Sequence, residues 1–89
     1  MFLHIGEGHM IPEKDIVLIG DLESAGESEI TGEFLTISEE EGFIINHFED
    51  KVSSFVLTGE IIYLSIISST TLRNRLKRSI KGTEGFDEG

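Results

Sequence analysis

The feature that most constrains this chain is a set of strand-like runs that stay apolar at consecutive positions. Ile16-Val17-Leu18-Ile19, Phe43-Ile44-Ile45, Phe55-Val56-Leu57 and Ile61 to Ile67 carry apolar side chains of both parities. Successive strand residues point to opposite faces, and a sheet with one wet face reads as an alternation of apolar and polar. In the last run Ile61, Tyr63, Ser65 and Ile67 face one way, and Ile62, Leu64 and Ile66 the other. Such a sheet needs cover on both faces. In 89 residues cover is scarce, because a domain of this size buries only about 60–65% of its unfolded surface.

The remaining elements follow from local patterns. Phe2-Leu3-His4-Ile5 and His9-Met10-Ile11 read as short strands joined by a turn at Gly6-Glu7-Gly8, where glycine tolerates positive φ. Pro12, with no amide to donate, stops the second strand or marks an edge. Asp15 to Ile19 is a strand closed by Gly20-Asp21, and residues 22–27 read as a loop. Ser28 caps a helix over 29–41, in which Ile30, Phe34 and Ile37 form one stripe with Leu35 beside it. Gly42 ends it. Phe43 to His47 is a strand, Phe48 to Lys51 a loop, and 52–67 a hairpin reversing at Gly59-Glu60. Ser68 or Ser69 caps a last helix over 70–81, with Leu72, Leu76 and Ile80 inward and Gly82 as its end. The class is α+β: a small, mostly antiparallel β-sheet with one central and one C-terminal helix. A single domain spans 1–82, and 83–89 form a disordered acidic tail.

Two helices cover one sheet face, so the expectation is that the second face meets another copy of the chain. Each fully buried Leu, Ile or Phe side chain stabilises by about 1.5–3 kcal/mol over exposure. Leaving several in water would forgo as much as the net stability of a small domain, and symmetric self-association is the commonest remedy.

Charge is unevenly placed. Residues 1–68 hold fourteen acidic and two basic residues, Lys14 and Lys51, a balance of -12. Residues 69–82 hold Arg73, Arg75, Lys77, Arg78 and Lys81 and no acid, while Glu84, Asp87 and Glu88 make the tail acidic. The basic segment is the one place where charge could hold a phosphate backbone. The plainer reading is a solvated helix face.

Other chemistry finds little support. The chain has no Cys, so no disulfide framework or thiolate metal site is expected. His4 and His9 straddle a turn, but nothing in the spacing brings His47 to them. Gly6-x-Gly8 lacks the third glycine of a dinucleotide fingerprint, and no G-x-x-x-x-G-K-[ST] phosphate loop is present. The serines and threonines at 53–54 and 68–71 have no general base paired with them in sequence, and Glu39-Glu40-Glu41 reads as a solvated helix end. Neither an enzyme nor a cofactor nor a small-molecule substrate is expected. The apolar runs fall far short of the roughly 20 residues of a membrane helix, and the N-terminus lacks a secretory pattern, so the expected location is cytoplasmic with no membrane partner.

Taken in order, Leu3-His4-Ile5-Gly6-Glu7-Gly8, Lys14 to Ile19, Phe55 to Ser65 and Ser68-Ser69-Thr70-Thr71-Leu72-Arg73-Asn74-Arg75-Leu76 resemble the extracellular matrix regulatory protein family, RemA/RemB-like, and within it the RemB (YaaB) branch. The resemblance covers about residues 1–78. It implies a small α+β protomer that assembles into a closed ring and, in RemA-like members, a transcriptional role in which DNA is bound and biofilm matrix genes are switched on. Where those members place arginines, this chain has Lys14-Asp15 and Glu49-Asp50-Lys51. The expected nucleic-acid-binding residues are therefore Arg73, Arg75, Lys77, Arg78 and Lys81, repeated around a ring and gaining by multivalency. The alternative is an oligomeric protein-interaction module that leaves DNA alone, its acidic surface meeting a basic partner or its basic helix docking on acidic neighbours.

Overall fold

The structure, a computed structural model, describes residues 1–49 and 51–88, with side chains described as far as Ser79. It is an α+β fold built on two sheets. Strands β1 (Phe2–Gly6) and β2 (His9–Pro12) form an antiparallel hairpin. Its loop is Glu7-Gly8, with φ of 50° and 83°. Positive φ at both central positions is the turn whose twist matches its strands. A short 3₁₀ turn, Glu13–Asp15, leads into β3 (Ile16–Asp21).

The chain then crosses to the far edge of a second sheet through α1 (Leu22–Glu27) and α2 (Glu29–Glu40). There it lays down β4 (Ile44–Ile45) and returns to the centre as β5 (Ser54–Thr58) and β6 (Ile62–Ser65). The strand order is β3-β5-β6-β4. The β3·β5 and β5·β6 pairs are antiparallel, and β4 runs parallel to β6. The last helix, α3, is Ser69–Glu88. Its backbone continues past Gly82, the end expected from sequence; the side chains of the acidic tail, 83–89, lie outside the described residues.

Segment 22–27 is a helix rather than a loop. Asp21 accepts a hydrogen bond from the Ser24 amide at 2.9 Å, a cap that satisfies an otherwise orphaned donor. Ala25 is buried and Leu22 packs beside it. A six-residue helix is marginal by propensity alone, so this packing is what holds it. The Ser28 cap of α2 is present, with its Oγ accepting from the Thr31 amide at 3.3 Å. Gly42 follows α2 with φ of 81°.

Both faces of the four-stranded sheet are covered from within the chain. On one face Ile19, Val56 and Tyr63 pack with Leu3, Ile5 and Ile11 of the hairpin, Phe48, and Leu72 and Leu76 of α3. On the other, Phe55, Ile62, Leu57 and Leu64 pack with Leu22 and Ala25 of α1, Leu35 of α2 and Ile44. The two long helices therefore lie on opposite faces instead of sharing one, and the hairpin, not a second copy, completes the cover. The apolar excess moves to the outside. Leu35 turns inward, while the Ile30, Phe34 and Ile37 stripe of α2 faces outward, Ile30 being 83% exposed. Phe43 and, on β3, Leu18 and Val17 are also exposed.

Two buried serines join the layers. Ser65 Oγ donates to the Ile5 carbonyl at 2.8 Å and accepts from the Ile67 amide at 3.0 Å. Ser54 Oγ, across the ladder from it, donates to the Ile67 carbonyl at 2.6 Å. Among the described residues no buried side-chain nitrogen or oxygen lacks a partner. Gly20 lies against the Phe55 ring so closely that a Cβ there would fall among the ring atoms.

Candidate nucleic-acid interface

The start of α3 fixes which residues face solvent. Ser68 Oγ accepts from the Thr71 amide at 3.2 Å and donates to Thr71 Oγ1 at 2.9 Å, closing the first turn. Leu72 is fully buried and Leu76 packs on the same core. With residues three and four apart sharing a helix face, that anchor turns Arg73, Arg75, Lys77 and Arg78 to the outside, where all four are exposed. Lys81 lies outside the described residues.

These cations divide between two flanks of the helix. Arg73 faces the open edge of β3, and Lys77 follows four residues on along the same flank of the helix. The Arg73 guanidinium donates through Nε and Nη2 to the Ile19 carbonyl, both at 3.4 Å. Arg75 and Arg78, three apart, face the hairpin. They line an open cleft of about 720 Å³ with Met1, Phe2, His4 and Glu13 among its other walls. Arg78 Nε also reaches the Asn74 carbonyl at 3.4 Å, which holds the side chain along the helix.

Such a surface can bind an anion. Two guanidiniums on one rim present forked donors suited to phosphate oxygens, and the His4 ring on the opposite wall adds a polar group. Glu13 is the opposing charge in the cleft. The positions where the resemblance would put arginines lie elsewhere and are mixed in sign. Lys14 sits exposed on the 3₁₀ turn between Glu13 and Asp15. Glu49 and Lys51 are exposed after β4, and Asp50 lies outside the described residues.

The histidines depart from the sequence reading. His9 stacks on His47, with ring centroids 4.0 Å apart and planes within 3°, and the ring of buried Phe48 meets His9 edge to face with centroids 5.5 Å apart. The chain brings them together because the segment after β4 folds back under the hairpin, a long-range contact that no spacing announces. Among the described residues no group of three or more His, Cys, Asp or Glu is placed to hold a metal ion. No helix among them is long and apolar enough to cross a membrane.

Sequence reading also missed an apolar groove of about 420 Å³ on the α2 side. Phe34, Phe43, Leu57 and Ile62 line it. Its signal in the sequence is that Leu35 stands beside, not on, the Ile30, Phe34 and Ile37 stripe, so that one docks while the other faces out.

No curated protein matches the chain. A family model described as extracellular matrix regulatory protein A-like matches residues 2–76. That span runs from β1 through both sheets to Leu76, the second anchor of α3, and takes in Arg73 and Arg75. By this match the chain belongs to the RemA-like family of extracellular matrix regulatory proteins.

Proposed function

We propose that this chain is a cytoplasmic, self-assembling regulator of extracellular-matrix genes, of the RemB type, that holds DNA through the exposed face of α3. The family supports the regulatory role. The observation that carries the DNA reading is the rotation of α3: packing of buried Leu72 and half-buried Leu76 on the core turns every described cation of that helix to solvent. Arg75 and Arg78 are the principal phosphate contacts, since they share one cleft, whereas Arg73 is engaged with the Ile19 carbonyl. Lys77 and Lys81 add charge along the same helix.

One protomer offers few contacts and carries a formal net charge of -10, which opposes a polyanion. Assembly offsets this by repeating the basic helix along one duplex, and screening over about 8–10 Å confines the acidic repulsion to near neighbours. The exposed apolar side chains of α2 and β3 support self-assembly, because contiguous apolar surface of this kind marks interaction sites. The chain acts as a binding protein and not as an enzyme.

The test is a fluorescence-anisotropy titration of a labelled duplex across salt. The proposal expects binding at low salt that weakens steeply as salt rises, and its loss in an Arg75→Glu, Arg78→Glu variant of unchanged fold. Absence of a complex at low salt would refute it. Retrieval of a protein partner insensitive to nuclease would then favour the interaction-module reading, for which the acidic surface of residues 1–68 speaks.

A further inference from the structure

The cleft between α3 and the hairpin holds more than charge. Beside Arg75 and Arg78 its walls carry the rings of Phe2 and His4. Leu3 and Ile5 of β1 are buried, so the alternate residues Phe2 and His4 share the outer side of the strand, and Phe2 is 58% exposed. A single exposed ring is ordinary, but this one stands in a concavity with two guanidiniums. Its backbone is also held in place. Phe2 pairs with Pro12 across the hairpin, and the Met1 carbonyl before it accepts from the Glu13 amide at 2.9 Å. Two residues along a strand span about 6.6 Å, close to twice the roughly 3.4 Å between stacked bases along one nucleic-acid strand. Glu13 lies in the same cleft. Its carboxylate repels phosphate, yet it accepts hydrogen bonds from the N–H groups on the pairing edges of bases, which a duplex occupies.

We propose that this cleft takes unpaired bases, so that the chain prefers single-stranded or locally opened DNA to intact duplex. This rests on the DNA reading above and names the form of DNA bound. Arg75 and Arg78 hold phosphate, Phe2 and His4 stack on successive splayed bases, and Glu13 accepts from a base edge. Aromatic platforms beside a basic rim bind single strands with little regard to sequence, each stacked base adding affinity. Bases inside a duplex stack on one another at half the spacing of the two rings and offer them no face. A duplex therefore meets the arginines alone. The same ingredients, an apolar ring and cations, could meet an anionic membrane. Glu13 decides against it, because anionic headgroups would repel a carboxylate that a base edge satisfies.

The test is a fluorescence-anisotropy titration of the full chain at low salt against three labelled ligands of equal length. They are a mixed-sequence single strand, its duplex, and an abasic strand that keeps the phosphates and lacks the bases. The proposal expects the single strand to bind about tenfold or more tighter than either of the others. Phe2→Ala should remove that advantage while leaving duplex and abasic binding unchanged, and Phe2→Tyr, which keeps the ring, should retain it. Phe2 is exposed, and circular dichroism checks that each variant folds. The salt slope of single-strand binding should be the same in Phe2→Ala as in wild type, because no phosphate contact is lost. Equal affinity of the wild type for the single strand and the abasic strand, or an unchanged single-strand affinity in Phe2→Ala, overturns the base-stacking cleft while leaving DNA binding standing. A chain that binds none of the three overturns the DNA reading itself. Binding to phosphatidylglycerol vesicles in place of the single strand, lost in Phe2→Ala, overturns the proposal in favour of a membrane face.

Discussion

Replacing Ser65 by Ala tests the joint between the two sheets. The Ser65 hydroxyl is fully buried, gives its proton to the Ile5 carbonyl of β1, and accepts from the Ile67 amide. Its loss removes one bond that links hairpin to sheet and one that shapes the exit from β6. Each net hydrogen bond contributes about 0.5–1.5 kcal/mol, and a buried group left without a partner costs about 1–3 kcal/mol. Ser54 Oγ already takes the Ile67 carbonyl, so it is not available to serve the Ile5 oxygen as well. The expected destabilisation is therefore about 2–4 kcal/mol, a large part of the net stability of a small domain. Urea unfolding followed by circular dichroism reads it directly, with all proteins at one concentration because association shifts apparent stability. Ser24→Ala, on the exposed side of α1, is the control and should change stability by no more than about 0.5 kcal/mol. A Ser65→Ala midpoint equal to wild type, with an unchanged denaturant slope, would show that the hydroxyl is not what couples the hairpin to the sheet.

Other expectations follow from single contacts. Gly20→Ala puts a methyl group into the Phe55 ring, and this overpacking should cost about 1–3 kcal/mol in thermal or urea unfolding. Leu72→Ala empties the anchor of α3 where the hairpin and sheet meet and should cost about 2–5 kcal/mol; the same loss should weaken DNA binding by freeing the helix to rotate. Asp21→Ala deletes the cap of α1 and should cost about 1 kcal/mol, with amide exchange rising first at Ser24. Arg75→Ala with Arg78→Ala should lower the slope of log affinity against log salt by about 1.8 per protomer in contact with DNA. An unchanged slope would place the phosphate contacts elsewhere.

Much of the architecture can be read from local chemistry. The Gly6-Glu7-Gly8 reversal, the Ser28 and Ser68 caps and the central hairpin are set by residues within a few positions of one another, and all stand in the structure. The outward face of α3 follows from Leu72 and Leu76 alone, which is why Arg73, Arg75, Lys77 and Arg78 were visible as exposed cations. What sequence does not reveal depends on distant partners. Residues 22–27 contain a glycine and no strong helical period, and become helix because Leu22 and Ala25 find Phe55. On α2 the three-residue stripe looks like the inward face, yet the single Leu35 docks, and the stripe is left for solvent or another surface. Sequence alone leaves the second sheet face bare, because a four-residue strand such as His9–Pro12 does not announce that its hairpin will fold over the sheet. The His9–His47 stack has the same origin, since it forms only when the segment after β4 passes beneath that hairpin.

The most direct measurement is the mass of the chain with a duplex at low salt, by light scattering after size exclusion. The account predicts one species containing the duplex and several protomers, with the free protein also larger than one chain. A protein that elutes at 9.9 kDa beside unbound duplex would contradict both the assembly and the DNA-binding face of α3.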